Sequence, residues 1–373
     1  MKVLLTATVQ SHICQFHKPL VEILHEQGCE VHVAAKDNLA EKNGLVLDFV
    51  EKVYNVPFAR SPKNLDNLKA YYQLKRIIEE ERYDIIHCNT PMGGIVTRLA
   101  ARKVRRNGTK VYYTAHGFHF YQGAPKKNWI VFYPVERLFS KITDKIITIT
   151  SEDYRFAQEK FHCKIERIHG VGVDEKRYFS VEEDKKQKLR VQMGFNDNQK
   201  LILCIGELLP NKNQMMAIKV IQNVVKKYPT AILLLAGNGP EKEHLELEIA
   251  NCGMQEHVKL LGYVTNLQDY QQIVDIVISC SKREGLPLNV VESMLSGTPV
   301  VATINRGHRE LIKNGENGYL VKVNDLEKMS KYITDLLDNK KIYKKIRENA
   351  SISAKQYGFE NVKKELKGIY FGR

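Results

Sequence analysis

A two-domain α/β chain is predicted, with a parallel sheet in each half covered by helices on both faces. Three observations predict it. Short β-branched runs alternate with helix-period segments along most of the chain, the alternation restarts near the middle, and 373 residues are too many for one ordinary core. In the first half Val3–Thr8, Glu30–Ala34, Asp84–Asn89, Lys110–Ala115 and Lys145–Thr150 read as buried strands. Phe16–Gln27, Leu65–Glu81 and Gly93–Arg106 carry apolar residues at helical spacing between them. The pattern resumes at Lys200–Gly206 and continues through Ala231–Gly237, Val258–Leu261, Ile276–Cys280 and Pro299–Thr303. Gln214–Lys227, Glu241–Cys252 and Pro287–Ser296 read as its helices. A polar, lysine-rich stretch, Val181–Asn198, separates the two series, and the break is expected just before it, near His169–Asp174. The expected domains are residues 1–172 and 173–356, with 357–373 as a terminal segment. Ligands in such folds sit beyond the carboxyl ends of the strands, so two facing domains imply one cleft.

Composition narrows the class. Hydrophobic residues make up 43% and charged residues 27%, an ordinary globular mixture that excludes wholesale disorder. No apolar run reaches the roughly 18 residues of a membrane span, and MKVLLTATVQ reads as a strand, not a secretory signal. The seven cysteines are scattered with no CxxC pair, which argues against a disulfide framework or a cysteine zinc site and for a reducing cytoplasm. A net charge of +14 is the one unusual value, and it points to a polyanionic partner or phosphate-bearing substrates.

The sharpest chemistry lies in the segment Ser281–Glu292, which reads SKREGLPLNVVE. A strand ends, a turn follows, and a helix is expected to start at Pro287, whose fixed φ suits a first helical position. The amides of Leu288 and Asn289 would then face an anion at the positive end of the helix dipole. Glu284 stands before that helix, with Gly285 and Leu286 in the turn, and Glu292 lies about a turn and a half inside it. Two carboxylates so placed can flank a phosphate-bearing ligand and accept from its sugar hydroxyls. A second strand-end loop, Gly206-Glu207-Leu208-Leu209-Pro210-Asn211-Lys212-Asn213, supplies a lysine able to neutralise a diphosphate leaving group. A third, Ala236-Gly237-Asn238-Gly239-Pro240, offers glycines that permit close backbone approach.

Together these three elements resemble the GT-B glycosyltransferases, in particular the retaining family 4 group that includes capsule and exopolysaccharide enzymes. The resemblance spans essentially the whole chain and extends to Gly297–Ala302 and Asn314–Leu320. It implies two Rossmann-like domains whose parallel sheets face one another across a cleft. It places Glu284 near the 3-hydroxyl of a donor sugar, Glu292 on the ribose hydroxyls, Lys212 on the diphosphate, and Tyr263 with Val264 near the base. One departure stands out: the family usually has arginine where this chain has Glu207, and Lys282 or Arg283 is expected to compensate. Retention of configuration also follows from the resemblance, by front-face attack with a departing phosphate oxygen as base. No DxD motif occurs, so no metal is expected to hold the diphosphate and no cofactor is expected beyond the nucleotide sugar.

The first half is expected to choose the acceptor. Gln10, Ser11 and His12 follow the first strand, where relatives often carry Gly-Gly. His116 follows the strand Lys110–Ala115, and the resemblance puts it beside the donor sugar; His119 is a second candidate for the acceptor. Basic residues crowd Arg98, Arg102, Lys103, Arg105 and Arg106, and Pro125–Tyr133 interleaves lysines with Trp129 and other apolar residues. Such a segment suits either an anionic lipid surface or a solvated helix with Trp129 and Phe132 in the core. The resemblance favours the first, since capsule-type enzymes act on polyprenyl-diphosphate-linked glycans at the inner face of the membrane. The resulting expectation is a UDP-sugar-dependent hexosyl- or N-acetylhexosaminyltransferase, cytoplasmic and peripherally attached. Two alternatives stay open: a UDP-GlcNAc 2-epimerase on the same plan, and a basic nucleic-acid-binding protein. The second has no recognition helix, RNP motif or zinc finger to support it, so no specific nucleic acid is expected.

Overall fold

The computed structural model describes residues 1–41 and 44–372. The chain divides into two compact units, Met1–Gly172 with Phe359–Arg373, and Val173–Gly358. The first holds a seven-stranded parallel sheet of β1 (Lys2–Val9), β2 (Glu30–Lys36), β3 (Lys52–Asn55), β4 (Ile85–Asn89), β5 (Lys110–Ala115), β6 (Lys145–Thr148) and β7 (Lys164–Arg167). Its helices are α1 (Gln10–Phe16), α2 (Lys18–Glu26), α3 (Asp66–Glu81), α4 (Pro91–Ala100), α5 (Arg102–Arg106), α6 (Lys126–Ser140) and α7 (Ser151–Lys160). The second unit follows with α8 (Glu183–Gln192) and a six-stranded sheet: β8 (Lys200–Ile205), β9 (Ala231–Ala236), β10 (Val258–Gly262), β11 (Ile276–Ser279), β12 (Val300–Thr303) and β13 (Tyr319–Val321). Around it lie α9 (Gln214–Val225), α10 (Lys242–Asn251), α11 (Leu267–Ile273), α12 (Leu288–Leu295), α13 (Arg306–Leu311), α14 (Leu326–Asp338) and α15 (Lys340–Ala354). The last helix, α16 (Phe359–Phe371), belongs to the first unit, where Lys363 and Lys367 pair with Glu22 and Glu26 of α2 at 2.6 Å each.

Strand order is β3-β2-β1-β4-β5-β6-β7 in one sheet and β10-β9-β8-β11-β12-β13 in the other. Each sheet grows outward in both directions from its first strand, so β1/β4 and β8/β11 are the topological switch points, where the two following loops diverge and leave a crevice. Apolar runs such as Leu201–Cys204 and Ala231–Ala236 are buried throughout because helices cover both faces. Successive side chains serve opposite layers: Ile202 and Cys204 pack with Ile218 and Ile221, while Leu201 and Leu203 pack with Val290 and Met294.

Several boundaries differ from the sequence reading for local reasons. Phe16–Gln27 is not one helix, because the chain turns at His17 (φ −119°, ψ 5°) and restarts at Lys18 with Pro19 in the first turn. Gly93–Arg106 is likewise divided at Ala101. The edge strand β3 and the short β7 carry too little apolar pattern to be read from sequence. Arg98 is not part of a basic surface. It is fully buried, pairs with Glu136 at 3.0 Å, and stacks its guanidinium over Tyr113 at 4.1 Å. Arg105 is taken by Asp144, through two contacts of 3.1 Å each.

Removing one partner of a buried pair strands the other charge, so Glu136→Ala should destabilise the fold by about 3–5 kcal/mol in urea unfolding. The double change Arg98→Met with Glu136→Leu should restore most of that loss. A Glu136→Ala protein as stable as the parent would show that Arg98 finds another partner.

Candidate active site

The second unit gathers its three strand-end loops at the β8/β11 switch point. Gly206 and Gly237 sit at φ +152° and +148°, a region that side chains disfavour. A Cβ on Gly237 would lie 2.0 Å from the Gly206 carbonyl oxygen, and one on Gly239 would lie 2.4 Å from that of Leu208. Only glycine lets these two loops touch. Side-chain amides then lace the loops together. Asn289 Nδ2 donates to Ile205 O at 2.9 Å, Asn211 Nδ2 to Arg283 O at 3.0 Å, and Gln214 Nε2 to Glu207 O at 3.1 Å. The Lys282 amide donates to Asn211 O at 2.8 Å, and Gly237 to Gly262 O at 2.8 Å.

This lacing brings Lys212 and Glu284, which are 72 residues apart, to 2.6 Å (Nζ–Oε1), both partly buried. The cation therefore stands at the mouth of the switch point, held by a carboxylate that a diphosphate can relieve. Beside it, α12 begins at Leu288, not at Pro287: the proline is the N-cap residue (φ −76°, ψ 105°), one position earlier than expected. The change follows from the turn Glu284–Leu286, which brings the proline in extended. Among the described residues no protein carbonyl accepts from the Leu288 or Asn289 amide, as expected of a first helical turn.

Glu292 points from α12 toward Tyr178 and Gln271. Burial pushes its carboxyl up to about 7, against hydrogen bonds with Gln271 and Tyr178 and the charge of Arg177. Behind the Glu284 turn lies α13. A Cβ on Gly307 would meet Gly285 O at 2.5 Å and the Glu284 Cβ at 2.9 Å, so this helix closes directly on the turn. His308 is fully buried, its Nδ1 2.6 Å from Thr303 O and its Nε2 2.9 Å from the Ser279 hydroxyl. Asn305 caps α13 through its side chain and donates to Ser281 O at 2.9 Å. Sequence reading missed Asn305, Gly307 and His308 as supports of the loop; an Asn N-cap three residues before His was the signal available. Leu286 and Val264 pack against the apolar layer of this sheet, whereas Tyr263, Glu207 and Arg283 are exposed.

The first unit assembles a different cluster, at β1/β4/β5. His12 and His116 approach at 3.2 Å between Nε2 atoms, and Asn89 Oδ1 lies 3.3 Å from His116 Nε2. His17 packs beside both, and burial holds all three imidazoles below their ordinary range, His116 at about 4. Gln10 and Ser11 are buried in the fold. They open α1, are 5% exposed, and bond Ala35 O and the Asn38 side chain. His119 stacks on Phe132 of α6 with ring centres 4.7 Å apart. Trp129 faces inward against Phe120 and Phe156, whereas its neighbours Ile130 and Val131 are 74% and 55% exposed.

Because Glu292 is protonated more readily in the folded chain than in the unfolded one, its burial weakens the fold as pH rises from about 4 to 7, by up to roughly 3 kcal/mol above that. Glu292→Gln should leave stability unchanged near pH 4 and raise the melting temperature at pH 8. Equal melting temperatures for the two proteins at pH 8 would contradict the raised carboxyl.

Two family models match: Glycosyl transferases group 1 over residues 185–352 and Glycosyltransferase Family 4 over residues 19–177. The chain is 38% identical over 371 residues to the putative glycosyltransferase EpsD of Bacillus subtilis, covering 99% of this chain and 96% of the relative. It is 23% identical over 330 residues to an Escherichia coli UDP-Gal:α-D-GlcNAc-diphosphoundecaprenol α-1,3-galactosyltransferase, covering 86% and 83% of the two chains. Among solved structures, Anabaena HepE in complex with UDP superposes with a TM-score of 0.80 at 21% identity over the full length of both. WaaG, a glycosyltransferase of lipopolysaccharide biosynthesis, gives 0.75 at 15% identity, covering all of both chains. With a full-length relative at 38% identity, both family models and two switch-point sheets in this order, the chain belongs to the family 4 glycosyltransferases of the GT-B fold.

Proposed function

We propose that this glycosyltransferase moves a hexose or N-acetylhexosamine from a UDP-sugar to a polyprenyl-diphosphate-linked glycan in exopolysaccharide or capsule synthesis. The observation that carries the donor half is the 2.6 Å Lys212–Glu284 pair beside the open first turn of α12. As the sugar–phosphate bond breaks, charge grows on the diphosphate. Lys212 and the Leu288 and Asn289 amides are pre-oriented toward such an anion, the arrangement that lowers a transition state most effectively. Glu284, released from Lys212, accepts from a sugar hydroxyl, and Glu292 accepts from the ribose. Front-face attack with retention, the leaving phosphate acting as base, is the chemistry that the family resemblance implies. His116 is assigned to the donor sugar, the role given by family resemblance, and His12, just after the first strand, to the acceptor. The acceptor class is supported by the Escherichia coli relative, which is named for a diphosphoundecaprenol-linked substrate.

Peripheral membrane attachment is proposed for the first unit. No helix among the described residues is long and apolar enough to cross a membrane. On α6, Val131 and Leu138 lie two turns apart and are 55% and 62% exposed, with Ile130 at 74%. Lys126, Lys127, Arg137 and Lys141 are exposed around them, the composition of an interfacial helix on anionic lipid.

Lys212→Met and Glu284→Gln should each lower transfer to a lipid-linked acceptor by about 10²–10³-fold, with EDTA leaving the parent rate unchanged. Undiminished transfer in both variants, or loss to EDTA that magnesium restores, would reject the donor site as drawn. Conversion of the sugar nucleotide without acceptor would indicate an epimerase instead. Anionic vesicles at low salt should pull down the parent protein, and Ile130→Ser with Val131→Ser should reduce the bound fraction severalfold. Equal binding by parent and variant would remove α6 from the membrane contact.

A further inference from the structure

Three histidines of the first unit, His12 on α1, His17 at its end and His116 after β5, converge at the β1/β4/β5 switch point. One ring nitrogen of each lies within 4.8 Å of those of the other two. The Nε2 atoms of His12 and His116 are 3.2 Å apart. Two nitrogens bound at about 2.0–2.1 Å to one tetrahedral zinc stand about 3.3 Å apart, so this pair already has the required bite. Asn89 Oδ1 lies 3.3 Å from His116 Nε2, and its amide is oriented by donating to Thr6 O at 3.3 Å. His17 is 4% exposed, and its Nε2 is buried with no hydrogen-bond partner among the described residues. A buried polar atom of that kind calls for a ligand. The fourth ring nearby, His87, is already engaged by the Thr114 hydroxyl at 2.7 Å and by the Tyr370 hydroxyl. Neutral imidazoles suit zinc, cobalt and nickel, whereas magnesium and calcium prefer oxygen. Sequence reading assigned no metal ligand to this chain, and a separation of 104 residues between His12 and His116 hides the group from any spacing rule.

We propose that His12, His17 and His116, with the Asn89 side-chain oxygen beside them, bind a zinc-class transition-metal ion. The site goes beyond the glycosyl-transfer reading and needs no nucleotide. A metal held there takes the His116 lone pair, so metal occupancy and use of His116 on a sugar exclude one another. Transfer as proposed above uses the metal-free state of the site, so chelation does not lower it.

The test is titration of the full chain with Co²⁺, without nucleotide or chelator, followed by visible absorption. One equivalent should bind with the intense ligand-field bands of a four-coordinate, nitrogen-rich site, and Zn²⁺ should displace it. His17→Gln, and separately His12→Gln, should weaken uptake by about tenfold or more while circular dichroism stays native. If His17→Gln does not fold, His12→Gln decides. A folded parent that takes up no cobalt overturns the site, and so does uptake of unchanged affinity and spectrum in the folded variants.

Discussion

The contact between Lys212 and Glu284 is the interaction on which the proposed donor site depends. It joins the loop after β8 to the loop after β11, the two strands between which the second sheet reverses its order. A lone lysine at a strand end would sample many rotamers and be solvated by water. Held at 2.6 Å by a carboxylate that is itself mostly buried, it waits in one place. The pair is worth little as a stabiliser, since partial burial removes water from both charges. Its value is that it places a cation and an acceptor side by side before a ligand arrives, which removes an ordering cost from binding.

That arrangement rests on backbone contacts with no polar chemistry of their own. Gly237 leans on Gly206, Gly239 on Leu208, and Gly307 on the Glu284 turn, each closer than any Cβ allows. The buried His308–Ser279–Thr303 group and the Asn305 cap then fix the end of β11 from below. Functional side chains are thus carried on loops whose backbone is over-determined by three neighbouring strand ends. Glu292 shows the opposing pressure: burial raises its carboxyl, so keeping it ionised on α12 costs stability.

In the first unit the same plan is used with different chemistry. The switch point gathers neutral imidazoles in place of a cation–carboxylate pair, and the basic residues that give the chain its net charge are partly internal. Arg98 and Arg105 are committed to Glu136 and Asp144. Each of these pairs sums to zero, so the net charge of +14 stays with the remaining basic residues. Around α6, lysines and an arginine surround exposed Ile130, Val131 and Leu138.

The sequence by itself determined the two parallel sheets, their restart near the middle of the chain, and the strand-end loops and following helix that carry Lys212, Glu284 and Glu292. Buried parallel strands are written as contiguous apolar runs, and strand-end glycines and prolines mark where function sits. Only the tertiary structure decided that Lys212 meets Glu284, that α12 begins one residue past Pro287, that Gln10 and Ser11 face inward, and that His12, His17 and His116 share one place. Those facts depend on strand order and on the close approach of loops far apart in the chain, and no local periodicity encodes which distant residue a side chain will find.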